Sequence, residues 1–375
     1  MGAMPSPWTK TRLTRLRIRA RLLFAAGPYF VARHRSALAR HAEVGGAARR
    51  TLLEGIWREA ADELGATLTD VGNGFLEVTR NGRATLLQRD TTPLDDPVTL
   101  ALAADKALVH RLLSEASVPA PEHLELLPDD WGQAIGFTER VGGLVVVKPA
   151  RGTGAGWGVA CHVRTAQDLA RAAGDISRYA DRILVERQLP GDVFRILVLD
   201  GVVIDAVRRR PPSVTGDGRR SIVRLIEAEN GRRLARGGPD ALALLRIDLD
   251  CLLTLRSAGL TPRSVPDAGQ VVQVKTGTSE NRPEDNWSAL DLVGPEVRAE
   301  AVAAAGAVGL RLAGVDVATQ DPGRSLAASA GAVLEVNGTP GIHHHYRVAD
   351  PEHATRVATQ VLQRMLESGM QAPRP

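Results

Sequence analysis

Apolar residues along most of the chain recur either at helical spacing or in short β-branched runs, so both kinds of element are predicted. Between residues 47 and 64 leucine, isoleucine and tryptophan recur on one face, which predicts an amphipathic helix. The same spacing predicts helices over residues 98–117, 166–174, 221–229, 299–313 and 354–366. Thr165 is a predicted N-cap for the helix that begins at residue 166.

Short apolar runs bounded by turn residues predict strands over residues 75–79, 84–88, 144–148, 159–163, 183–186, 194–199, 202–207, 315–317 and 332–336. Asn81-Gly82 and Asp200-Gly201 are strong hairpin signals between neighbouring strands. Because hairpins and helices are mixed without strict alternation, the predicted fold class is α+β (mixed α/β) in three layers.

The predicted organisation has four parts: a basic helical arm over residues 1–42, an N-terminal domain over 43–118, a subdomain with a glycine-rich loop over 119–189, and a C-terminal subdomain over 190–375. The arm holds nine Lys and Arg and no acidic residue, whereas the rest of the chain holds 38 basic and 43 acidic residues. Such an arm could contact an anionic membrane or partner, or lie as a solvated helix against the protein.

Composition narrows the other function classes. Aromatic residues make up only 3% of the chain, so base stacking is disfavoured and no nucleic acid partner is expected. Cys161 and Cys251 stand alone in apolar runs, without zinc-type spacing. The absence of a disulfide framework favours the reducing cytoplasm, and both thiols are interpreted as small core residues.

The stretch "KPARGTGAGWG" (148–158) is a candidate phosphate loop, because glycines at 152, 154 and 156 let backbone amides approach an anion closely. It fits neither the P-loop nor the dinucleotide pattern, and a flexible hairpin tip is the alternative. Lys148 ends an apolar strand just before the loop, where its ammonium would face the same anion. Lys106 is a second candidate, with a solvated helix position as its alternative.

Two carboxylates and an amide interrupt the last predicted strands. Glu335 and Asn337 are two residues apart and so share a strand face, and Asp316 lies between two valines. Oxygen ligands of this kind suit Mg²⁺, whereas the alternative is a set of solvent-facing strand residues. The three consecutive histidines His343, His344 and His345 cannot all bind one ion in regular structure, because successive side chains diverge. They are interpreted as a segment that faces substrate or contributes a base, with surface or packing roles as the alternative.

Several stretches together resemble the ATP-grasp superfamily, in the branch of cyanophycin synthetase and the bifunctional glutathione synthetases. They are "ADKALVHRLLSEASVPAP", "VVVKPARGTGAGWGV", "ILVERQLPGDVFRILVLDGVV", "RRRPPSVTGDGRRSIVRLIEAEN", "AGLTPRSVPDAGQVV", "AGVDV" and "LEVNGTPG". The resemblance covers roughly residues 98–346 and implies a nucleotide held between two α+β subdomains.

The resemblance also implies roles for residues that match the family's motifs. Contact with ATP is implied for Lys106, Lys148, Gly152, Gly154, Gly156, Glu186, Arg187 and Leu189. Magnesium binding is implied for Asp316, Glu335 and Asn337. Positions near the γ-phosphate and the acyl substrate are implied for Arg195 and Arg209.

The implied function is an ATP-dependent carboxylate–amine ligase that forms an amide or peptide bond through an acyl phosphate. Its implied cofactors are ATP and two Mg²⁺ ions, or Mn²⁺ instead, and its partners are small-molecule or peptide carboxylates and amines. The alternatives are an ATP-grasp phosphotransferase that forms no amide and a nucleotide-binding regulatory module; a homodimer is an alternative to a monomer.

Two departures from the family pattern bear on substrates. Relatives carry an acid that reaches the ribose at the position where this chain has Val193, and Asp192 stands one place early. The segment "TGTSENRPEDNW" (276–287) has little likeness to the corresponding loop of the branch, so the relatives' substrates are not transferred.

Overall fold

The computed structural model describes residues 28–371 except 129, 153–155, 178–179 and 238–242, with side chains from residue 46 to 369 apart from Trp131. The first 27 residues of the predicted helical arm lie outside the described residues. The α-helices described are α1 Pro28–Glu63, α2 Pro97–Ala103, α3 Lys106–Glu115, α4 Trp131–Val141, α5 Ala166–Ile176, α6 Ile222–Arg236, α7 Leu249–Ser257, α8 Pro295–Val308 and α9 Val357–Ser368.

The strands described are β1 Thr67–Gly72, β2 Phe75–Arg80, β3 Arg83–Gln88, β4 His123–Leu126, β5 Val145–Pro149, β6 Ala160–Val163, β7 Ile183–Arg187, β8 Asp192–Leu199, β9 Val202–Arg209, β10 Ser213–Thr215, β11 Val271–Gln273, β12 Asn286–Ser288, β13 Leu312–Thr319, β14 Ala332–Asn337 and β15 Met370–Gln371. They form four antiparallel sheets, in the orders β1-β2-β3-β15, β10-β11, β12-β9-β8-β13-β14 and β4-β7-β5-β6. Helices packed on antiparallel sheets confirm the predicted α+β class.

The five-stranded sheet has a core on each face. On β8 the side chains of Phe194, Ile196 and Val198 pack against α8. Leu197 and Leu199 point to the other face and join a cluster built with α1 and α9. Since neighbours on a strand alternate, Arg195 shares the second face with Leu197, at the end of the strand where the apolar cluster gives way to a cavity.

The sheet β4-β7-β5-β6 places one face on α4 and α5 and leaves the other open. Val145, Val147 and Val185 are fully buried in the cluster under these helices. Lys148 and Glu186 lie on the opposite face and line the same cavity as Arg195. The two sheets therefore present polar faces to one shared space.

Two predicted helices are corrected by the structure. The helix expected over 98–117 is broken, because the side chain of Asp105 accepts a hydrogen bond from the amide of Leu108 at 3.2 Å and starts a new helix at Lys106. The helix expected over 299–313 ends at Val308, because Gly309 adopts a φ of +85°. The predicted cap by Thr165 is confirmed, since its side chain accepts from the amide of Asp168 at 3.2 Å.

Other predicted elements are found with shifted ends, and several were missed. The prediction omitted α4, α7, β1, β4, β10, β12 and β15. Within the described part of the chain, no helix is both long and apolar enough to cross a membrane.

Both cysteines are buried and neither forms a disulfide, and burial raises the pKa of each thiol well above its ordinary value. The four-part division of the chain stays a prediction.

Candidate active site

A cavity of about 1690 Å³ runs between the open faces of the two large sheets. The predicted site residues that line it are Lys106, Lys148, Gly152, Gly156, Glu186, Arg187, Leu189, Arg195, Arg209, Asp316, Glu335 and Asn337. Gly154 lies outside the described residues. One space therefore collects residues that are up to 231 positions apart in the sequence, from Lys106 to Asn337.

On one wall, Glu186 holds the Lys148 ammonium. Nζ of Lys148 lies 2.7 Å from Oε1 of Glu186, and Nε2 of His110 lies 2.7 Å from the same oxygen. Burial alone would raise the pKa of Glu186, but the charge of Lys148 and the bond from His110 outweigh it and lower the pKa to about 2. Glu186 is therefore a permanent carboxylate that fixes Lys148 in place.

On the opposite wall, strand register brings the predicted metal ligands together. Asp316 on β13 is directly opposite Glu335 on β14 and also opposite Arg195 on β8. Asn337 is two residues beyond Glu335, on the same face. The cross-strand pairing thus converts three separate sequence positions into one polar patch.

This patch carries its own counter-charges. Nε and Nη2 of Arg195 donate to the two carboxylate oxygens of Asp316 at 2.5 and 2.8 Å. Nζ of Lys106 lies 3.1 Å from Oε1 of Glu335, and the amide of Asn337 donates to the carbonyl of Gly314 at 3.1 Å. Burial would lower the pKa of Arg195, but the charge of Asp316 raises it overall, so the guanidinium stays cationic.

The donor set of the patch fits a hard divalent cation. Two carboxylates and one amide oxygen are the ligand types that Mg²⁺ prefers, and Mg²⁺ commonly keeps waters and phosphate oxygens in its other positions. Among the described side chains no group of three His, Cys, Asp or Glu residues has metal-binding geometry. The patch therefore fits an ion that substrate phosphates help to bind, rather than one held by a full protein cage.

Arg209 lies on the same face of the sheet as Arg195. Its Nη2 donates to the carbonyl of Thr278 at 3.1 Å, and its buried Nε has no hydrogen-bond partner among the described residues. Burial and the charge of Arg195 lower the pKa of Arg209 to about 10. It remains cationic at neutral pH, and a buried donor without a partner beside a cavity would favour an anion there.

The glycine loop approaches the part of the cavity wall that contains Ser279. Gly152 and Gly156 adopt φ values of +75° and +68°, which favour glycine. A Cβ on Gly156 would lie 2.7 Å from Oγ of Ser279, so only glycine allows this approach. The Arg246 guanidinium lies 4.2 Å from the ring centroid of Trp157, an exposed residue of the same loop.

Two charged residues that line the cavity, Arg187 and Asp192, already have partners. The amide of Arg187 donates to the carbonyl of Glu122 at 2.8 Å, and its guanidinium donates to the Glu122 carboxylate at 3.2 Å. Asp192 is 2.6 Å from Nη2 of Arg208, so the acid that stands one place early is already paired.

The three consecutive histidines have three different environments. Nδ1 of His345 lies 2.7 Å from Oδ2 of Asp205, in the core. The ring of His344 lies 4.2 Å from that of His343, and both line the cavity. Nδ1 of His343 faces Oδ1 of Asp90 at 3.9 Å.

The sequence prediction omitted two residues of the site, His110 behind the cavity wall and Arg233 on the wall itself. His110 follows Lys106 by four positions, which places both on one helix face, so its role could have been inferred from spacing. Arg233 is buried against Glu229 at 2.9 Å and the carbonyl of Glu280 at 2.9 Å, and only the tertiary fold brings it to the cavity.

Sequence comparison finds relatives that match part of the chain. The chain is 34% identical over 260 residues to cyanophycin synthetase of Trichormus variabilis, a match that covers 65% of this chain and 27% of that protein. It is 28% identical over 263 residues to the glutathione biosynthesis bifunctional protein of Enterococcus faecalis, covering 68% of this chain and 34% of the relative. Both relatives are far longer than the part that this chain matches.

Structure comparison agrees with the sequence comparison. A bifunctional glutathione synthetase from Pasteurella multocida superposes with a TM-score of 0.52 at 21% identity, over 82% of this chain and 42% of that one. No model of a known protein family matches the sequence. The structural likeness shows the fold, and the sequence likeness supports the branch of cyanophycin synthetase and the bifunctional glutathione synthetases. The chain spans less than half of the length of each of these relatives.

Proposed function

Because the chain belongs to the ATP-grasp superfamily, in the branch of cyanophycin synthetase and the bifunctional glutathione synthetases, we propose that it is an ATP-dependent carboxylate–amine ligase. The observation that supports this most strongly is the shared cavity. Lys148 lies on one wall, while Lys106 and the patch of Asp316, Glu335 and Asn337 lie on the other. Opposed cations and metal-binding oxygens are what transfer of a phosphoryl group requires.

The residues of the chain divide the work. Lys106 and Lys148, the latter fixed by Glu186, would hold the phosphates of ATP. The backbone amides near Gly152 and Gly156 would also contact the phosphates. The backbone of Arg187 and Leu189 would contact the adenine. Bound by Asp316, Glu335 and Asn337, Mg²⁺ would neutralise charge on the phosphates, as two ions or with Mn²⁺ in its place.

Arg195 and Arg209 would orient the carboxylate that accepts the phosphoryl group. Their charges oppose the repulsion between that carboxylate and the phosphates, which is the main electrostatic obstacle to the transfer. The acyl phosphate formed there then reacts with an amine. Water would hydrolyse this intermediate, so the proposed reaction requires that water is kept from the acyl phosphate.

The test is ATP consumption with defined pools of substrates. The purified protein is incubated with ATP, Mg²⁺ and a mixture of the twenty amino acids and dipeptides, and ADP release and product masses are measured. We expect ADP only when an acid and an amine are both present, together with a product of the mass of an amide. A phosphorylated product without an amide would instead favour a phosphotransferase, and no ADP above background with any pool would refute both.

Three finer proposals accompany the activity. The two buried, unbonded cysteines support a cytoplasmic location. The basic arm is proposed to give weak contact with an anionic membrane or partner, which binding to phosphatidylserine vesicles with and without residues 5–42 at low salt would test. The oligomeric state, monomer or homodimer, is measured by light scattering.

A further inference from the structure

His343 and Asp90 form a buried pair beside the cavity that has no role in the scheme above. His343 is 5% exposed and Asp90 9% exposed, and His343 lines the cavity. Nδ1 of His343 and Oδ1 of Asp90 face each other at 3.9 Å, and neither atom has a hydrogen-bond partner among the described residues. A buried donor and acceptor that face each other across so short a gap can form a hydrogen bond after a small rotation of the ring.

Asp90 is held on its other side. Its Oδ2 accepts from Nη2 of Arg49 at 2.7 Å, so the carboxylate is anchored by α1 and points one free oxygen at the imidazole. Burial would raise the pKa of Asp90, but His343 and Arg49 outweigh it and lower the pKa. An ionised carboxylate behind Nδ1 favours the tautomer that carries its proton there and leaves a lone pair on Nε2.

The groups around His343 keep the ring neutral. The ring of His344 lies against it at 4.2 Å, and the charges of Arg49 and Arg347 oppose a proton on it. Burial lowers the pKa of His343, and these two arginines add to that effect, whereas Asp90 acts against them. A neutral imidazole of a residue that lines a cavity can accept a proton at neutral pH.

The two neighbouring histidines do not offer the same chemistry. His345 is bound to Asp205 at 2.7 Å and does not line the cavity. No carboxylate of the described residues pairs with His344, and burial together with His343 and the nearby Arg209 lowers its pKa well below the ordinary value. His343 alone combines access to the cavity with a carboxylate behind it.

We propose that His343 is the general base that takes a proton from the amine substrate, and that Asp90 is its positioning residue. The inference rests on the proposed ligase function and deepens it. An amine reaches the site at neutral pH as an ammonium ion, which has no lone pair and cannot attack.

The proposed step forms one C–N bond and breaks one C–O bond. Nε2 of His343 accepts one proton from the substrate ammonium, and the freed nitrogen lone pair attacks the carbonyl carbon of the acyl phosphate. The bond between that carbon and the bridging oxygen breaks, and the phosphate leaves with the bonding pair. A second proton passes from nitrogen to the departing phosphate, and the imidazolium later releases its proton to solvent.

Hydroxylamine separates this role from all others, because it is largely neutral at pH 7 and needs no base. With the same amino acid and dipeptide pool, we expect His343→Ala to lower amide formation about 100-fold or more while hydroxamate formation stays within about twofold of the wild type. Amide formation by the variant should rise about tenfold per pH unit as the free amine increases, whereas the wild type should change little.

His343→Gln keeps the side-chain volume without a basic nitrogen, so it tests the same point if the alanine variant is unstable. His353→Ala is the matched control, because this exposed histidine lies in the same part of the chain and outside the cavity. Equal loss of amide and hydroxamate in a folded His343→Gln variant, or no loss of either, would overturn the inference. A wild-type protein that forms neither product would refute the ligase function itself.

Asp90→Asn tests the positioning role. It should lower the rate constant of amide formation and shift its pH profile while leaving hydroxamate formation and the KM for ATP unchanged. Asp90→Glu should restore part of the rate. A purely structural Asp90 would instead affect both products equally, and that result would remove it from the proposed pair.

Discussion

Two neighbouring segments of the chain, strand β14 with Glu335 and Asn337 and the histidine segment Ile342–His345, direct their side chains in opposite ways. In the patch, Glu335 and Asn337 face one direction because the strand alternates, and register with β13 places Asp316 beside them. In the segment, one turn of 3₁₀ helix directs three consecutive histidines in different directions, so that their side chains have different neighbours.

The difference shows what each kind of backbone specifies. A strand in a sheet fixes side-chain direction from the sequence alone, since a slip of one residue would turn every side chain to the wrong face. A single helical turn fixes only that successive side chains diverge. Whether a histidine there meets Asp205 or Asp90 depends on residues 140 and 253 positions earlier in the chain.

The largest effect is expected on the strand side. Glu335→Ala removes a proposed Mg²⁺ ligand and the partner of Lys106, so ADP release with the substrate pool should fall by about 1000-fold or more, as expected for the loss of several kcal/mol of charge stabilisation. The measurement is ADP release as a function of Mg²⁺ concentration. Glu352→Ala, an exposed acid beyond the histidines, should leave the rate unchanged. Full activity of Glu335→Ala would remove this residue from the metal site.

The next effect is on stability. Glu186→Gln leaves Lys148 buried without its counter-charge, which should lower the free energy of unfolding by roughly 3–5 kcal/mol at pH 7. Because the folded pKa of Glu186 is depressed to about 2, its contribution is present above the ordinary value of 4.5 and is lost as the pH falls toward 2.

Urea unfolding of the wild type and of Glu186→Gln, at pH 7 and at pH 3, measures the difference in the free energy of unfolding between the two proteins. This difference should be smaller at pH 3. Glu122→Gln is the control, because this exposed acid also pairs with two arginines but should cost about 1 kcal/mol or less. A gap that stays constant with pH would show that Glu186 is not the titrating group.

A smaller effect is expected on the histidine side. His345→Gln weakens the buried contact with Asp205, so the free energy of unfolding should fall by about 1.5–3 kcal/mol. Amide formation in the mass assay should stay within about twofold of the wild type, in contrast to the loss expected for His343→Ala. A change of preference without a loss of stability would show that His345, too, serves the cavity.

The smallest effect is expected for Asp192. Its neighbour on β8 faces the other side of the sheet, and its carboxylate already pairs with Arg208 at 2.6 Å near the surface. Asp192→Asn should therefore change the KM for ATP by less than about threefold, as expected for an exposed ion pair. An increase of about tenfold or more would mean that Asp192 leaves Arg208 to bind the nucleotide.

Sequence reasoning reached most of this arrangement, and its errors have identifiable causes. Periodicity predicted the long helices and the two hairpins, because each pattern reports local burial. It ran a helix through Asp105 and another through Gly309, because a cap and a left-handed residue interrupt helices without changing the apolar spacing. It missed the short strands β10 and β12, which depend on pairing with distant partners.

The sequence by itself determined the alternation that puts Glu335 and Asn337 on one face, the glycines that allow a close approach of the loop, and the lysine near the end of β5. Only the tertiary structure decided that Lys148 rests on Glu186 and His110, that Arg195 clamps Asp316, and that His343 faces Asp90. The physical reason is that backbone geometry acts over a few residues. Charge pairing in a cavity, by contrast, joins atoms that only the packing of whole sheets brings within 4 Å.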